Sequence, residues 1–316
     1  MEKKPLIVLT GPTAVGKTAL SLSLAKKTGG EIVSADSMQV YRGMDIGSAK
    51  IMPDEMQGVR HYLIDVLDPT EEFHVVRFAG MAKEAMEKIW ERGHIPILTG
   101  GTGFYIQAVL YDIDFTENGS DDGYRHELER FAEENGAGKL HERLAEVDPV
   151  SAEIIHANNI KRVIRALEYY HQTGEPISLH NEKERKKESP YTFAYFVLND
   201  IRAHLYERID QRIDEMLNAG LVKEVRALKE AGCHRGMVSM QGLGYKEILE
   251  YLDGDCTLEE AVYRLKRDTR HFAKRQITWF KRERDVIWLD KDKFDYDEER
   301  ILQHMLGILR EREVIH

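Results

Sequence analysis

The sequence predicts an α/β fold, a parallel sheet flanked by helices, with an all-helical domain inserted into it. Three observations carry that prediction. Apolar, β-prone runs alternate with helix-patterned segments up to residue 110, the order that builds a parallel sheet covered by helices on both faces. From about Asp112 to Lys187 the strand signal stops and the pattern is almost wholly helical. A β-rich run, YTFAYFVL at 191–198, then returns, so the helical block interrupts one sheet.

The first strand is LIVL at 6–9. It ends in GPTAVGKT at 11–18, where Gly11, Gly16, Lys17 and Thr18 have G-x-x-x-x-G-K-T spacing, and Ala19, Leu20, Leu22, Leu24 and Ala25 continue as a helix. Strand, glycine-rich loop and helix in that order make a phosphate cradle. Glycines let successive backbone N–H groups converge on phosphate oxygens, the helix N-terminus adds its positive end, and Lys17 supplies a point charge. Thr18 is placed to ligate Mg²⁺. The run Gly11, Pro12, Thr13, Ala14, Val15, Gly16, Lys17, Thr18 is therefore expected to bind a di- or triphosphate in a P-loop NTPase-like sheet.

EIVSA at 31–35 is the second strand and ends at Asp36, on the carboxyl edge where α/β sheets bind ligands. The glycine-rich 41–47 is a loop, and HYLIDV at 61–66 a third strand. Val75, Phe78, Ala79, Ala82, Met86 and Ile89 have helical spacing, stopped by Arg92-Gly93. IPILT at 95–99 is a strand that closes in Gly100-Gly101-Thr102-Gly103, with a helix from 104 to 110. The polar, turn-rich 116–123 opens the insertion, which gives domain limits of 1–114 plus 190–316 for the core and 115–189 for the helical block. In the last third, Leu205, Ile209, Ile213 and Leu217 mark an amphipathic helix. A second helix at 221–229, a glycine-rich turn at 240–245, a basic helix and the apolar run VIWL at 286–289 follow.

Composition narrows the function. With 316 residues, 42% hydrophobic and 32% charged, this is an ordinary globular chain. No apolar run nears the ~18 residues of a membrane span. The N-terminal apolar run leads straight into the phosphate loop, so it reads as a core strand and not a signal peptide. Cys233 and Cys256 are the only cysteines and form no C-x-x-C, which argues for reduced thiols in the cytoplasm. A net charge of −10 speaks against a nucleic-acid partner, yet 264–284 holds nine Lys or Arg against Asp268 and Glu283. Such a stripe on an acidic chain implies a local polyanion site.

Each candidate has a bland reading beside the sharp one. The second strand is expected near the first, so Asp36 would stand close to Lys17; it either takes a proton from a nucleophile or caps a helix or holds Mg²⁺ through water. Gly100 to Gly103 reads by itself as a flexible turn. No apolar strand ends in the metal-binding Asp usual in phosphoryl transfer, although Asp65 could serve, and this weakens a kinase reading. Arg208 and Arg212, four apart, either join a solvated network with Glu207, Asp210 and Asp214 or clamp a phosphate. Lys161, Arg162 and Arg165 carry the same ambiguity. In the basic stripe Val262, Leu265, Phe272 and Ile277 can face the core while Lys274, Arg275 and Lys281 face out. Interleaved Phe272, Trp279 and Phe280 favour nucleic-acid contact there.

Assembled, these stretches resemble the bacterial tRNA dimethylallyltransferase (tRNA isopentenyltransferase) family. The motifs are GPTAVGKT (11–18), SADSMQVYRGMDIGSAK (34–50), HYLIDVLDP (61–69), GGTGFY (100–105), KRVIRALE (161–168), QGLGYKE (241–247) and AKRQITWF (273–280), in the family's order and over almost the whole chain. The resemblance implies transfer of a dimethylallyl group from dimethylallyl diphosphate to the exocyclic amine of the adenine 3′ of the anticodon, with Mg²⁺, by a cytoplasmic monomer. It implies that the phosphate loop holds the donor's diphosphate, helped by Arg208 or Arg212, with Asp36 as base and Thr102 and Lys17 at the reaction centre. It assigns tRNA contact to Asp36, Ser37, Met38, Gln39, Thr102, Arg125, Lys161, Arg162, Arg165, Gln241, Gly242, Gly244, Tyr245, Lys246, Lys274, Arg275, Gln276, Trp279 and Lys281. The insertion becomes the grip on the anticodon stem-loop. Ser48, where the family often has Thr, and the loose segment at 73–78 depart from the pattern. A small-molecule P-loop kinase, an adenylate isopentenyltransferase and an RNA-binding protein with a vestigial loop are the rivals.

Overall fold

The computed structural model describes residues 3–114 and 122–316. In chain order it contains β1 (Lys4–Thr10), α1 (Lys17–Thr28), β2 (Gly30–Ser34), β3 (His61–Tyr62), α2 (Val75–Glu91), β4 (Ile95–Gly100) and α3 (Gly103–Leu110). Five helices follow, α4 (Asp122–Asn135), α5 (Ala137–Val147), α6 (Pro149–Ile154), α7 (Ile160–Thr173) and α8 (Ile177–Lys186). Then come β5 (Tyr191–Asn199), α9 (Arg202–Ala219), α10 (Leu221–Glu230), α11 (Tyr245–Leu252), α12 (Leu258–Phe280), β6 (Val286–Asp290) and α13 (Glu298–Glu311).

The chain divides into two compact units, one of Met1–Leu110 with Pro190–His316, the other of Tyr111–Ser189. The residues around the expected cut at 115 lie partly outside the described ones, and the second unit begins at Tyr111, which is buried.

The first unit is built on a six-stranded sheet in the order β3-β2-β4-β1-β5-β6, every neighbour parallel. Leu6, Ile7, Val8 and Leu9 of β1 are wholly buried, as a central strand covered on both faces requires. Two expectations fail here. β4 separates β2 from β1, so the second strand is not the first strand's neighbour, although Asp36 still lies near enough to Lys17 for their charges to interact. The third strand covers only His61–Tyr62, because Leu63 (φ 63°) and Asp65 (φ 53°) turn the backbone out of the extended region. The loops after β1, β2 and β4 all leave at the same carboxyl edge. Ala35 N–H donates to Thr99 O (2.7 Å) and Thr102 N–H to Ala35 O (3.3 Å), which ties the second and third of those loops together.

Helix α12 begins at a capping box, in which Thr257 and Glu260 satisfy each other's backbone N–H groups. It buries Ala261, Leu265, Ala273, Gln276 and Phe280 and leaves Lys274, Arg275 and Lys281 exposed. The second unit is a helical cluster around Leu128, Leu140, Leu144, Val163 and Leu167, and its described residues form no strand. Buried Asp148 accepts from Ser151 N–H (3.0 Å), Ser151 O–H (2.7 Å) and Ser178 N–H (3.0 Å), joining the starts of α6 and α8.

Candidate active site

A cavity of about 720 Å³ opens on the carboxyl edge of the first unit. The phosphate loop, the Asp36 turn, Thr102, one face of α9, the 241–246 segment and α12 line it.

The phosphate loop is held against the end of β5. A Cβ on Gly11 would lie 2.2 Å from the Leu198 carbonyl oxygen, so only glycine allows this approach. Gly16, at φ 103°, caps the start of α1. Lys17 Nζ donates to the carbonyls of Gly11 and Pro12, both at 2.9 Å. Burial lowers its pKa to about 8; the Arg212 cation adds to that and Asp36 opposes it. Thr18 lines the cavity, and its hydroxyl takes no partner among the described residues.

Asp36 fixes a turn and does not cap a helix. Oδ1 accepts from the N–H groups of Met38 (2.8 Å) and Gln39 (3.3 Å), fixing a tight turn, while Oδ2 makes no hydrogen bond among the described residues. One oxygen therefore orients the group and leaves the other for a ligand. Met38, Gln39 and Ser37 share the cavity wall, and Gln39 Nε2 holds its own loop through Ser48 O (3.4 Å) and Ala49 O (3.3 Å).

The Gly100–Gly103 turn is packed and not flexible. A Cβ would come within 2.3 Å of the Ala35 carbonyl oxygen at Gly100, of Gln276 Nε2 at Gly101 and of the Trp279 ring at Gly103. The reading of a flexible turn fails for that reason. Gln276 is buried and uses both ends of its amide: Oε1 accepts from Thr13 N–H (2.9 Å) and Nε2 donates to Gly101 O (2.8 Å). It braces the phosphate loop against this turn, so the structure moves it from the expected tRNA contacts to a positioning role. Trp279 remains over a third exposed and meets Phe104 edge-on, centroids 6.2 Å apart.

The two arginines of α9 separate. Arg208 pairs with buried Asp200 (3.1 Å) and donates to Val15 O (3.4 Å), so it backs the phosphate loop from outside the cavity. Arg212 lines the cavity with no hydrogen bond or ion pair among the described residues. Burial pushes its pKa down, against Glu215 and Asp36. The solvated network expected with Glu207, Asp210 and Asp214 does not hold them; Asp210 pairs with Arg270 and Asp214 with Lys266.

Gln241, Gly242, Gly244 and Lys246 border the cavity, whereas Tyr245 is wholly buried, which corrects its expected contact with RNA. Its hydroxyl donates to Glu224 Oε1 (2.8 Å), and burial raises its pKa far above the ordinary value. Glu224 also accepts from the N–H groups of Asp45 (2.9 Å), Ile46 (2.7 Å) and Gly47 (3.0 Å). This carboxylate anchors the loop that follows Gln39. Nothing in LVKEVRAL marks it, because a helical Glu normally reads as solvated. Asp65 pairs with the buried ammonium of Lys50, which Asp45 also holds (2.6 Å). Among the described residues no three His, Cys, Asp or Glu converge to hold a metal.

Along α12, His271, Lys274, Arg275, Thr278, Trp279 and Arg282 line a second groove of about 470 Å³, open to solvent beside exposed Lys281. In the helical unit Lys161, Arg162 and Arg165 are exposed on α7, and their side chains bond to no other described residue. Arg125 forms a two-bond pair with buried Glu168, both at 2.8 Å.

Comparison with known proteins agrees with this geometry. The family model described as IPP transferase matches residues 39–283, and one described as isopentenyl transferase matches 4–73. A tRNA dimethylallyltransferase of Lachnoclostridium phytofermentans is 65% identical over 312 residues, covering 99% of each chain. The crystal structure of a full-length tRNA isopentenylpyrophosphate transferase from Bacillus halodurans is similar at a TM-score of 0.74, with 45% identity over 98% of both chains. A eukaryotic dimethylallyltransferase captured acting on tRNA is similar at 0.78, with 32% identity over 91% of this chain and 74% of that one. The chain belongs to the IPP transferase family, among relatives named tRNA dimethylallyltransferase.

Proposed function

We propose that this chain transfers the dimethylallyl group of dimethylallyl diphosphate to the exocyclic amine of the adenine 3′ of the anticodon in tRNA, releasing diphosphate. The observation that carries the reading is one cavity with a cationic phosphate loop at one end and the free oxygen of Asp36 at the other. Between them Ile209, Ile213 and Met216 of α9 and Leu265 and Phe272 of α12 supply apolar lining for a hydrocarbon tail.

In the reaction the carbon–oxygen bond to diphosphate breaks, the amine nitrogen bonds to that carbon, and an amine proton passes to Asp36 Oδ2. Charge developing on the leaving diphosphate meets the loop amides, Lys17 and Arg212, fixed before the reaction begins. Thr18, with a free hydroxyl and a diphosphate beside it, suits Mg²⁺, which favours phosphate oxygens and few protein ligands. When bound, the ion neutralises diphosphate charge. That the Asp65 carboxylate is spent on Lys50 fits a reaction in which no phosphoryl group moves. An unpaired loop base reaches a cavity of this kind at little unstacking cost. Met38, Gln39, Thr102, Gln241 and Lys246 border its path, and Lys274, Arg275, Lys281, Trp279 and the α7 cations serve the RNA backbone.

The test is incubation with Mg²⁺, dimethylallyl diphosphate labelled in its carbon chain, and unmodified tRNA. Label is expected in tRNA and not in free adenylate, and ATP is expected to donate nothing. Labelling of AMP at a comparable rate, or γ-phosphoryl transfer from ATP, overturns the proposal.

A further inference from the structure

Lys291 follows the last strand, β6, at the same sheet edge as the phosphate loop. The residue is 7% exposed, and its ammonium makes no hydrogen bond or ion pair with any described residue. Gly16 of the phosphate loop lies beside it. A methyl group placed on Gly16 would lie 3.5 Å from Lys291 Nζ, so the absence of a side chain there leaves the lysine facing bare loop backbone. Arg208 stands close enough to repel it, and that arginine is already committed to Asp200. Glu298 and Asp200 attract it only at longer range.

An ammonium on a largely buried residue, partly stripped of water and without a protein partner, is compensated by a bound anion. The anion-binding element within reach is the phosphate loop. From these placements we infer that Lys291 is a second lysine for the donor's diphosphate, reaching it over Gly16 from the β5–β6 side while Lys17 and Arg212 reach it from the cavity. This rests on the reading of the loop as a diphosphate site. Burial, reinforced by Arg208, holds the Lys291 pKa below the ordinary lysine range, and an anion would restore its proton. The loop is thus gripped on both flanks. Arg208 is the back support, because its charge is spent on Asp200 and Val15.

The experiment is calorimetric titration of inorganic diphosphate, with Mg²⁺, into the wild-type protein and the variants Lys291→Met, Lys291→Gln and Lys291→Arg. Removing one charge-assisted hydrogen bond is expected to weaken diphosphate binding by on the order of tenfold in the Met and Gln variants. The Arg variant is expected to stay within a few-fold of wild type. The KM for dimethylallyl diphosphate rises by the same factor while the KM for tRNA does not move. A structural lysine would instead lower the melting temperature and the active fraction, hence kcat, with diphosphate affinity unchanged. That outcome, in whichever neutral variant folds, overturns the inference and leaves the loop's assignment standing. If wild type itself binds no diphosphate, the reading of the loop falls, and this inference with it.

Discussion

The α/β unit and the helical unit hold their cations in opposite ways. In the first, Lys17 and Arg212 line a cavity with their pKa values depressed by burial, and the loops around them are set by buried hydrogen bonds from Gln276 and Glu224. In the second, Lys161, Arg162 and Arg165 stand in solvent on the first turns of α7, their side chains bonded to no other described residue. Buried, pre-oriented charge suits a small anion whose charge changes during a reaction, because no solvent must reorganise. Exposed charge on long, flexible stems suits a polyanion, where the gain comes from counterion release and little depends on exact placement. On the proposed reading, the same residue types serve chemistry in one unit and grip in the other.

Breaking the contrast at its buried end gives the largest effect. Asp36→Asn keeps the acceptor oxygen that fixes the turn but loses the base, so turnover is expected to fall by roughly 10²–10⁴-fold. Donor and tRNA affinities should change little. A single-turnover rate near wild type would take Asp36 out of the chemistry and leave it as a turn residue.

A smaller effect is expected in the helical unit. Neutralising Lys161, Arg162 and Arg165 together should flatten the log–log dependence of tRNA affinity on salt by roughly 0.7–0.9 for each phosphate that no longer meets a cation. The rate at saturating tRNA should hold. Equal salt slopes for wild type and the triple Ala variant would make α7 a merely solvated face.

The smallest effect sharpens the contrast through pH. Lys17 titrates near 8 in the folded protein against 10.5 ordinarily, mainly because it is buried. On the proposed reading its ammonium binds diphosphate, so donor affinity should fall as pH rises through about 8, by at most tenfold per unit for one proton. The stability sign is opposite: between about 8 and 10.5 the unfolded chain keeps a proton that the folded one has lost, so the donor-free protein gains stability as pH rises through that window. Lys17→Arg should keep donor KM flat across the same window, as arginine does not titrate there. Affinity for tRNA, resting on Arg162 and Arg165, should stay flat as well. A donor KM in wild type that ignores pH would mean that Lys17 is charged throughout.

Local pattern was enough for much of this molecule. LIVL before GPTAVGKT, EIVSA before Asp36 and IPILT before Gly100 each join a strand to its loop, so the loop residues and Asp36 are legible as edge groups from the chain alone. The helical block between 112 and 187 is legible because strand periodicity vanishes and then resumes. HYLIDV misleads beyond Tyr62, since an apolar run does not reveal that Leu63 and Asp65 turn to positive φ.

Features that depend on neighbours along the chain were therefore readable directly: the phosphate loop, the strand-to-loop edges and the basic face of α12. Partners came from packing. Arg208 and Arg212 are equivalent in YERIDQRIDEM, and one became a brace because Asp200, just past the end of β5, lies beside it. Gln276 and Tyr245 were expected as RNA contacts and nothing in the sequence singled out Glu224 or Lys50; the fold gave each a hydrogen-bonded or charged partner from another segment. The reason is physical. A polar side chain's role is set by which groups share its desolvated surroundings, and those come from segments far apart in the chain.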